Sequence, residues 1–163
     1  MFDLAHRPGV SNAQLHASLL EQARALLAGE RDATANAANL AALVFHTLPE
    51  LNWAGFYWMK GGELVLGPFQ GKPACVRIGL GKGVCGTAAQ ERRTLVVRDV
   101  HQFPGHIACD SDSNSEVVVP VIRQGRVLGV LDLDSPRTAR FTEDDARALE
   151  ALVGLFVEST DLG

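Results

Sequence analysis

Residues Glu116–Asp134 read EVVVPVIRQGRVLGVLDLD. Two runs rich in Val and Leu flank Arg123, Gln124 and Gly125, and apolar β-branched runs broken by a short glycine-containing segment form a β-hairpin. Glycine in third place fits a three-residue loop with Gly125 in the left-handed conformation of a bulge. In that register Ile122 pairs with Arg126, Glu116 lies opposite Asp132, Asn114 opposite Asp134, and Val118 and Val130 share the acids' face. A two-residue loop would put Glu116 on the other face. The three-residue register gathers Glu116, Asp132 and Asp134 at one end of an otherwise apolar hairpin, where like charges raise the pKa of at least one of them. Asp132 interrupts the run Val127, Leu128, Val130, Leu131 and Leu133, and an acid inside a core strand calls for a partner. Asp134 by itself also reads as a solvated strand end that starts a turn with Ser135 and Pro136.

The rest of the chain builds around this hairpin. Leu15, Leu19, Leu20, Ala23, Leu26 and Leu27 recur at helical spacing behind a Ser11 or Asn12 cap, and Gly29 ends the run. A second helix spans Asp32 to Leu48 and stops at Pro49. NWAGFYWMK and GELVLGPF form two antiparallel strands joined at Lys60, Gly61 and Gly62. The glycine-rich piece from Gly79 to Gly86 leads into a short helix, VCGTAAQE, and TLVVRDV reads as a strand. Thr142 and Asp145 make a capping box for the closing amphipathic helix DDARALEALVGLFVES. Strands in the middle with helices at both ends predict an α+β fold, a central antiparallel sheet flanked by N- and C-terminal helices. A single domain is expected over 1–163, with the helices of 1–48 packing on the sheet and 51–163 supplying the sheet, the active-site loops and the closing helix.

Composition narrows the function. The chain has 163 residues, 47% of them hydrophobic, enough to bury one full core. The net charge of −4 and the scattered lysines and arginines provide no basic surface for phosphate backbones, which argues against nucleic acid. The N-terminal MFDLAHRPGVSN carries no apolar leader and no apolar run is long enough to cross a bilayer, so a cytoplasmic protein without membrane contact is expected. In that compartment cysteines are read first as catalytic, redox-active or metal-binding.

Cys109 lies in GHIACDSDSNSE, among residues that belong in turns and water, although cysteine usually behaves as a small hydrophobe. Cys75 lies in KPACVRI, after a turn. Cys85 opens the short helix, where the helix dipole could lower its pKa, although VCGTAA also reads as a small-residue packing surface. A metal site drawing on His101, His106 and Cys109 matches no common zinc spacing, so no metal and no cofactor are expected.

LNWAGFYWM, ACVRIGLGKGVCGTAA, HIACDSDSNSE, and PVI followed by LGVLDLDSP together closely resemble the free methionine-(R)-sulfoxide reductases, which are single GAF domains. Cys85 follows Cys75 by 10 residues and Cys109 follows Cys85 by 24, the family's three-cysteine arrangement. The resemblance implies that Cys109 attacks, that Cys75 resolves and that Cys85 is auxiliary. It implies that Glu116, Asp132 and Asp134 line the substrate pocket, with Asp134 and Glu116 among the catalytic groups, and that Trp53 and Tyr57 form its aromatic wall. The implied substrate is free methionine-(R)-sulfoxide, the implied reductant thioredoxin, and the resemblance favours a homodimer. Two other classes are weighed beside it. A GAF sensor that binds a small molecule lacks an output domain here and lacks the Asn-Lys-Phe-Asp-Glu set of cyclic-nucleotide GAF domains; the other class is a thiol redox sensor without turnover.

Overall fold

Helices start where the sequence offers side-chain caps. In the computed structural model, which describes residues 9–107 and 109–163, Ser11 accepts the Gln14 backbone N–H and opens α1 (Asn12–Leu27). Asp32 does the same for Ala35 and opens α2 (Ala33–Thr47), while Thr142 and Asp145 form the expected capping box of α4 (Glu143–Ser159). The fourth helix, α3 (Gly83–Glu91), starts without a side-chain cap. The first eight residues, where the expectation of no apolar leader falls, and Ala108 in the Cys109 loop lie outside the described residues.

Six strands form one sheet: β1 (Trp53–Lys60), β2 (Glu63–Gly71), β3 (Arg77–Gly79), β4 (Leu95–Val97), β5 (Ser115–Arg123) and β6 (Arg126–Ser135). Their order is β3-β2-β1-β6-β5-β4, and every neighbouring pair is antiparallel. This is the expected α+β arrangement. The β1–β2 hairpin turns at Gly61 and Gly62, both at positive φ, as read from the sequence. Two details differ. Strand β3 is an edge of three residues, too short to show any alternation, and it was not predicted. The run TLVVRDV is strand only over Leu95–Val97, because Asp99 accepts the His101 backbone N–H and caps a 3₁₀ turn at Val100–Gln102.

The turn of the central hairpin also differs from the expected one. Arg123 pairs with Arg126, so the loop has two residues, Gln124 and Gly125, at φ 50° and 77°. Positive φ at both positions is the two-residue turn whose twist matches the strands. By itself it would turn Glu116 away from the aspartates. The register shifts once more, however: Val121 pairs with Gly129 and Ile122 with Val127, leaving Leu128 as the extra residue of a bulge. Beyond the bulge Glu116 stands opposite Asp134 and Val118 opposite Asp132, correcting the expected Glu116–Asp132 and Asn114–Asp134 pairs by one step of two residues. A shift of two residues preserves the face, so the acids still converge. Gly129 allows the close strand approach here, since a Cβ on it would come within 2.2 Å of the Tyr57 carbonyl oxygen.

The alternation of side chains divides the protein into two layers. Ala54, Phe56, Val117, Val119, Val121, Leu131 and Leu133 face a core built with Leu19, Leu40, Val44, Leu149, Leu152 and Phe156 of α1, α2 and α4. The opposite face carries Trp53, Tyr57, Val118 and Val130, covered by Val84, Cys85 and Ala88 of α3. The second layer is thin, and one end of it is open. No helix among the described residues is long and apolar enough to cross a membrane.

Candidate active site

Strand pairing sets the floor of this opening. Trp53 pairs with Asp134, Gly55 with Asp132 and Tyr57 with Val130, so the aromatic residues of β1 and the acids of β6 emerge on the face that also bears Glu116 of β5. A cleft of about 510 Å³, counted to its mouth, is lined by Trp53, Tyr57, Cys85, Cys109, Glu116, Asp132 and Asp134. Seven of the eight residues singled out in the sequence therefore share one cavity. Cys75 stands behind Cys109, joined to it by a disulfide with a Cα–Cα distance of 5.6 Å, and does not line the cavity itself.

The acids are not solvated strand ends. Glu116 and Asp132 are each 6% exposed, and Asp134 is half-buried, so the turn-starting reading of Asp134 is corrected. No Lys or Arg among the described residues forms an ion pair with any of the three. Burial pushes all three carboxyls well above the usual carboxylate range, and mutual repulsion adds to it: Asp134 on Glu116, Glu116 on Asp132, Asp132 on Asp134. The Oδ1 atoms of Asp132 and Asp134 are buried without a hydrogen-bond partner, which leaves both free for a ligand.

The aromatic wall is fixed by its polar ends. Trp53 stacks on Phe69 at 5.2 Å between ring centres and on Tyr57 at 5.9 Å, and its Nε1 donates to the Lys72 carbonyl at 3.1 Å. The Tyr57 hydroxyl donates to the Cys75 carbonyl at 2.9 Å. One ring thus faces the cleft and also holds the backbone of a disulfide cysteine. Burial, reinforced by Asp132, raises the Tyr57 pKa, so the hydroxyl stays a donor.

Cys85 corrects the expectation of a thiol activated by its helix. It lies in the first turn of α3 but is buried, with Sγ 3.9 Å from Glu116 Oε2. Burial first, then Asp132 and Glu116, drive its pKa up, because desolvation beside acids outweighs the dipole of a nine-residue helix. The small-residue packing reading holds. Cys85, Glu116 and Asp132 place one sulfur and two oxygens within 4.8 Å of one another, a spacing a cation can span. Burial favours the protonated form of all three, which suits acid–base work. The weighed metal set is not assembled: His101 is exposed and paired with Asp99 at 2.9 Å, away from the cleft.

Three further residues belong to the site. His106 lines the cleft with Nε2 3.6 Å from Glu116 Oε1, and burial lowers its pKa, so near neutrality it faces the acid uncharged. Ser113 donates to Asp134 Oδ2 at 2.7 Å, and Asn52 Nδ2 reaches Ser113 Oγ and Asp110 Oδ2, each at 3.0 Å. Asn52 and Ser113 lie inside the quoted stretches LNWAGFYWM and HIACDSDSNSE, but only their contacts mark them out.

The GAF domain family matches residues 34–157. The chain is 48% identical over 144 residues to the free methionine-R-sulfoxide reductase of Escherichia coli, covering 88% of this chain and 87% of that one. Protein YtsP of Bacillus subtilis is 55% identical over 133 residues, covering 80% and 82%. The X-ray structure of free methionine-R-sulfoxide reductase from Neisseria meningitidis in complex with its substrate superposes with a TM-score of 0.90 at 44% identity, covering 94% of this chain and 93% of that one. The pocket on one sheet face, the disulfide-bonded Cys109 in its wall and these likenesses agree, and the chain belongs to the GAF-domain family of free methionine-R-sulfoxide reductases.

Proposed function

We propose that the protein reduces free L-methionine-(R)-sulfoxide to L-methionine, with Cys109 as the attacking thiol. The observation that carries this reading is a buried cluster of acids with raised pKa in the same cleft as a cysteine bonded to a second cysteine. Sulfoxide oxygen is a poor leaving group until it is protonated, and such a cluster supplies the proton near neutral pH. The Cys109 thiol and the sulfoxide become a sulfenic acid on Cys109 and the thioether of methionine: the sulfur of the substrate gains two electrons and Cys109 loses them. The Cys75 thiol then displaces water from the sulfenic acid and closes the disulfide. An external dithiol such as thioredoxin returns both thiols by exchange. Asp134 and Glu116 serve as proton donors and Asp132 holds the ammonium group, while Trp53 and Tyr57 receive the S-methyl group. The substrate carboxylate fits the start of α3, where Lys82, Gly83 and Val84 line the cleft and no side chain caps the helix. Incubation with racemic free methionine sulfoxide and dithiothreitol tests the reading: many methionines per protein support it, and none would leave a binding or redox sensor.

The pocket recognises both charged ends of an amino acid, so N-acetylated or peptide-bound methionine sulfoxide will be nearly inert. Removing the charge leaves buried groups unpaired, which lowers kcat/KM by about 10⁴-fold or more. Comparing free and N-acetyl substrate in the same assay checks this, and similar rates for the two would refute it.

The S epimer exchanges the oxygen and methyl positions, turning oxygen toward Trp53 and Tyr57 and methyl toward the acids. Reduction of a racemate will therefore stop at about half by this selectivity. Chiral chromatography of the residue should show the S epimer alone; complete consumption without an epimerase contradicts the assignment.

A further inference from the structure

We infer that Asn52 and Ser113 are positioning residues for the reduction, a hydrogen-bond relay from Asp110 that holds the proton of Asp134 on Oδ1, the oxygen open to substrate, and steadies the carboxylate left when that proton departs. The inference rests on the reductase reading above and concerns how its acid is aimed.

Each link in the relay follows from the one before. Asp110 is half-buried, and the Asp112 backbone N–H donates to its Oδ1 at 2.9 Å, which lowers its pKa below that of an ordinary aspartate. Its carboxylate can only accept, so the group of Asn52 that lies 3.0 Å from Asp110 Oδ2 is the amide nitrogen. That nitrogen also lies 3.0 Å from Ser113 Oγ, where its second hydrogen goes. Ser113 Oγ accepts there, and its single proton is left for Asp134 Oδ2, 2.7 Å away. With Oδ2 occupied as an acceptor, a protonated Asp134 carries its hydrogen on Oδ1. Asp134 Oδ1 is the oxygen without a protein partner, in a residue that lines the cleft.

The relay is fixed in place at both ends. The Asn52 backbone N–H donates to the Asp134 carbonyl at 3.0 Å, and Ser113 is 4% exposed. Asp110 directly follows Cys109, so the loop that carries the attacking thiol and the acid that must protonate the oxygen share one network. The other groups lining the cleft around Asp134 are Glu116 from β5, Asp132 from β6, Cys85 from α3, Tyr57 from β1 and His106 from the preceding loop; Asp132 opposes its ionisation and a hydrogen bond with Glu116 favours it. Hydrogen bonds from Ser113 and Glu116 favour the charged form of Asp134, against burial and against Asp132, and that from Ser113 is the larger of the two. A proton donor must be stabilised after donation as well as kept protonated before it, and Ser113 supplies the first of these.

The test is single-turnover methionine release across pH for Ser113→Ala, Ser113→Thr and Asn52→Asp, with thermal melting and Cys109 alkylation of the reduced protein as controls. Ser113→Ala should lower the saturating rate constant roughly tenfold to a hundredfold, the worth of a hydrogen bond to a charged group. Because Asp134 loses the donor that favours its carboxylate, the alkaline fall in rate should also move to higher pH. Ser113→Thr keeps the hydroxyl and should restore both rate and profile. Asn52→Asp replaces the donor with an acceptor, turns the Ser113 proton away from Asp134 and should be at least as slow as Ser113→Ala. Alkylation of Cys109 should stay at the wild-type rate in all three. A wild-type rate and profile in Ser113→Ala and Asn52→Asp overturns the relay, as does a fall in rate with no movement of the alkaline limb and no rescue by threonine. A wild-type protein that releases no methionine overturns the reductase reading and the relay together.

Discussion

Cys109→Ser is expected to abolish methionine formation with any reductant, whereas Cys75→Ser should release about one methionine per active site and then stop when thioredoxin is the reductant. The first loss is total because a serine hydroxyl is a far weaker nucleophile than a thiolate and cannot take up the oxygen as a sulfenic acid. The second is a loss of recycling: attack still proceeds, but the sulfenic acid on Cys109 finds no thiol to condense with. The structure favours Cys75 over Cys85 in this role, since Cys75 and Cys109 are already bonded while Cys85 is buried in the α3 packing surface. A small thiol should restore turnover to Cys75→Ser by reaching the sulfenic acid from solvent. Cys85→Ser should lose less than either. Rapid-quench counting of methionine per site is the measurement, and normal cycling of Cys75→Ser with thioredoxin would reverse the assignment of Cys75 and Cys85.

The acid cluster has the other large effect, and it acts in opposite directions on activity and stability. Glu116→Gln and Asp134→Asn should slow single-turnover methionine release by about 10²-fold or more, the ordinary worth of a positioned acid. Asp132→Asn should mainly raise the substrate concentration needed for half-maximal rate. Alkylation of Cys109 in the reduced protein should be unchanged in all three, because it requires only the thiolate. Stability goes the other way. The folded carboxyls sit well above their unfolded values of about 4, so the native state keeps protons that the unfolded chain has released. That contribution is complete below about pH 4 and is lost as pH rises through the raised folded values. An amide does not titrate, so each variant should gain on the wild type as the buffer is made alkaline. A gain of about 1 kcal/mol would appear as roughly 2–4 °C in melting temperature for a chain of this size. Wild-type rates with pH-independent melting differences in all three variants would mean that the acids are bystanders and that the proton comes from elsewhere.

Much of the site could be read from the chain because its chemistry is dense in short stretches. The caps at Ser11 and Thr142 and the paired glycines at Gly61 and Gly62 act over a few residues, and each appears where the sequence places it. The acids needed only parity: residues separated by an even number lie on one face of a strand, and Asp132 and Asp134 meet that condition whatever the turn does. Glu116 joins them across the hairpin, and there the turn decides. A two-residue loop and a single-residue bulge at Leu128 together restore the face that a three-residue loop was expected to give. The residue signature of the bulge in VLGVL is Gly129, where an added Cβ would come within 2.2 Å of the Tyr57 carbonyl oxygen, but a strand glycine alone does not say which neighbour becomes the extra residue.

Local sequence, then, determined most of the element types, the fold class and which residues are candidates for the site, because caps, alternation and residue chemistry are properties of a few neighbouring positions. Tertiary structure alone decided that Cys85 is buried beside acids rather than activated by its helix, and that Asp134 is enclosed rather than solvated. It alone linked Asn52, Ser113 and Asp134 into one chain of donors. The physical reason is that desolvation and hydrogen-bond direction depend on what crosses the cavity from other strands and loops. Asn52 and Ser113, 61 positions apart in sequence, meet only when β1 and the Cys109 loop converge at the same end of the sheet.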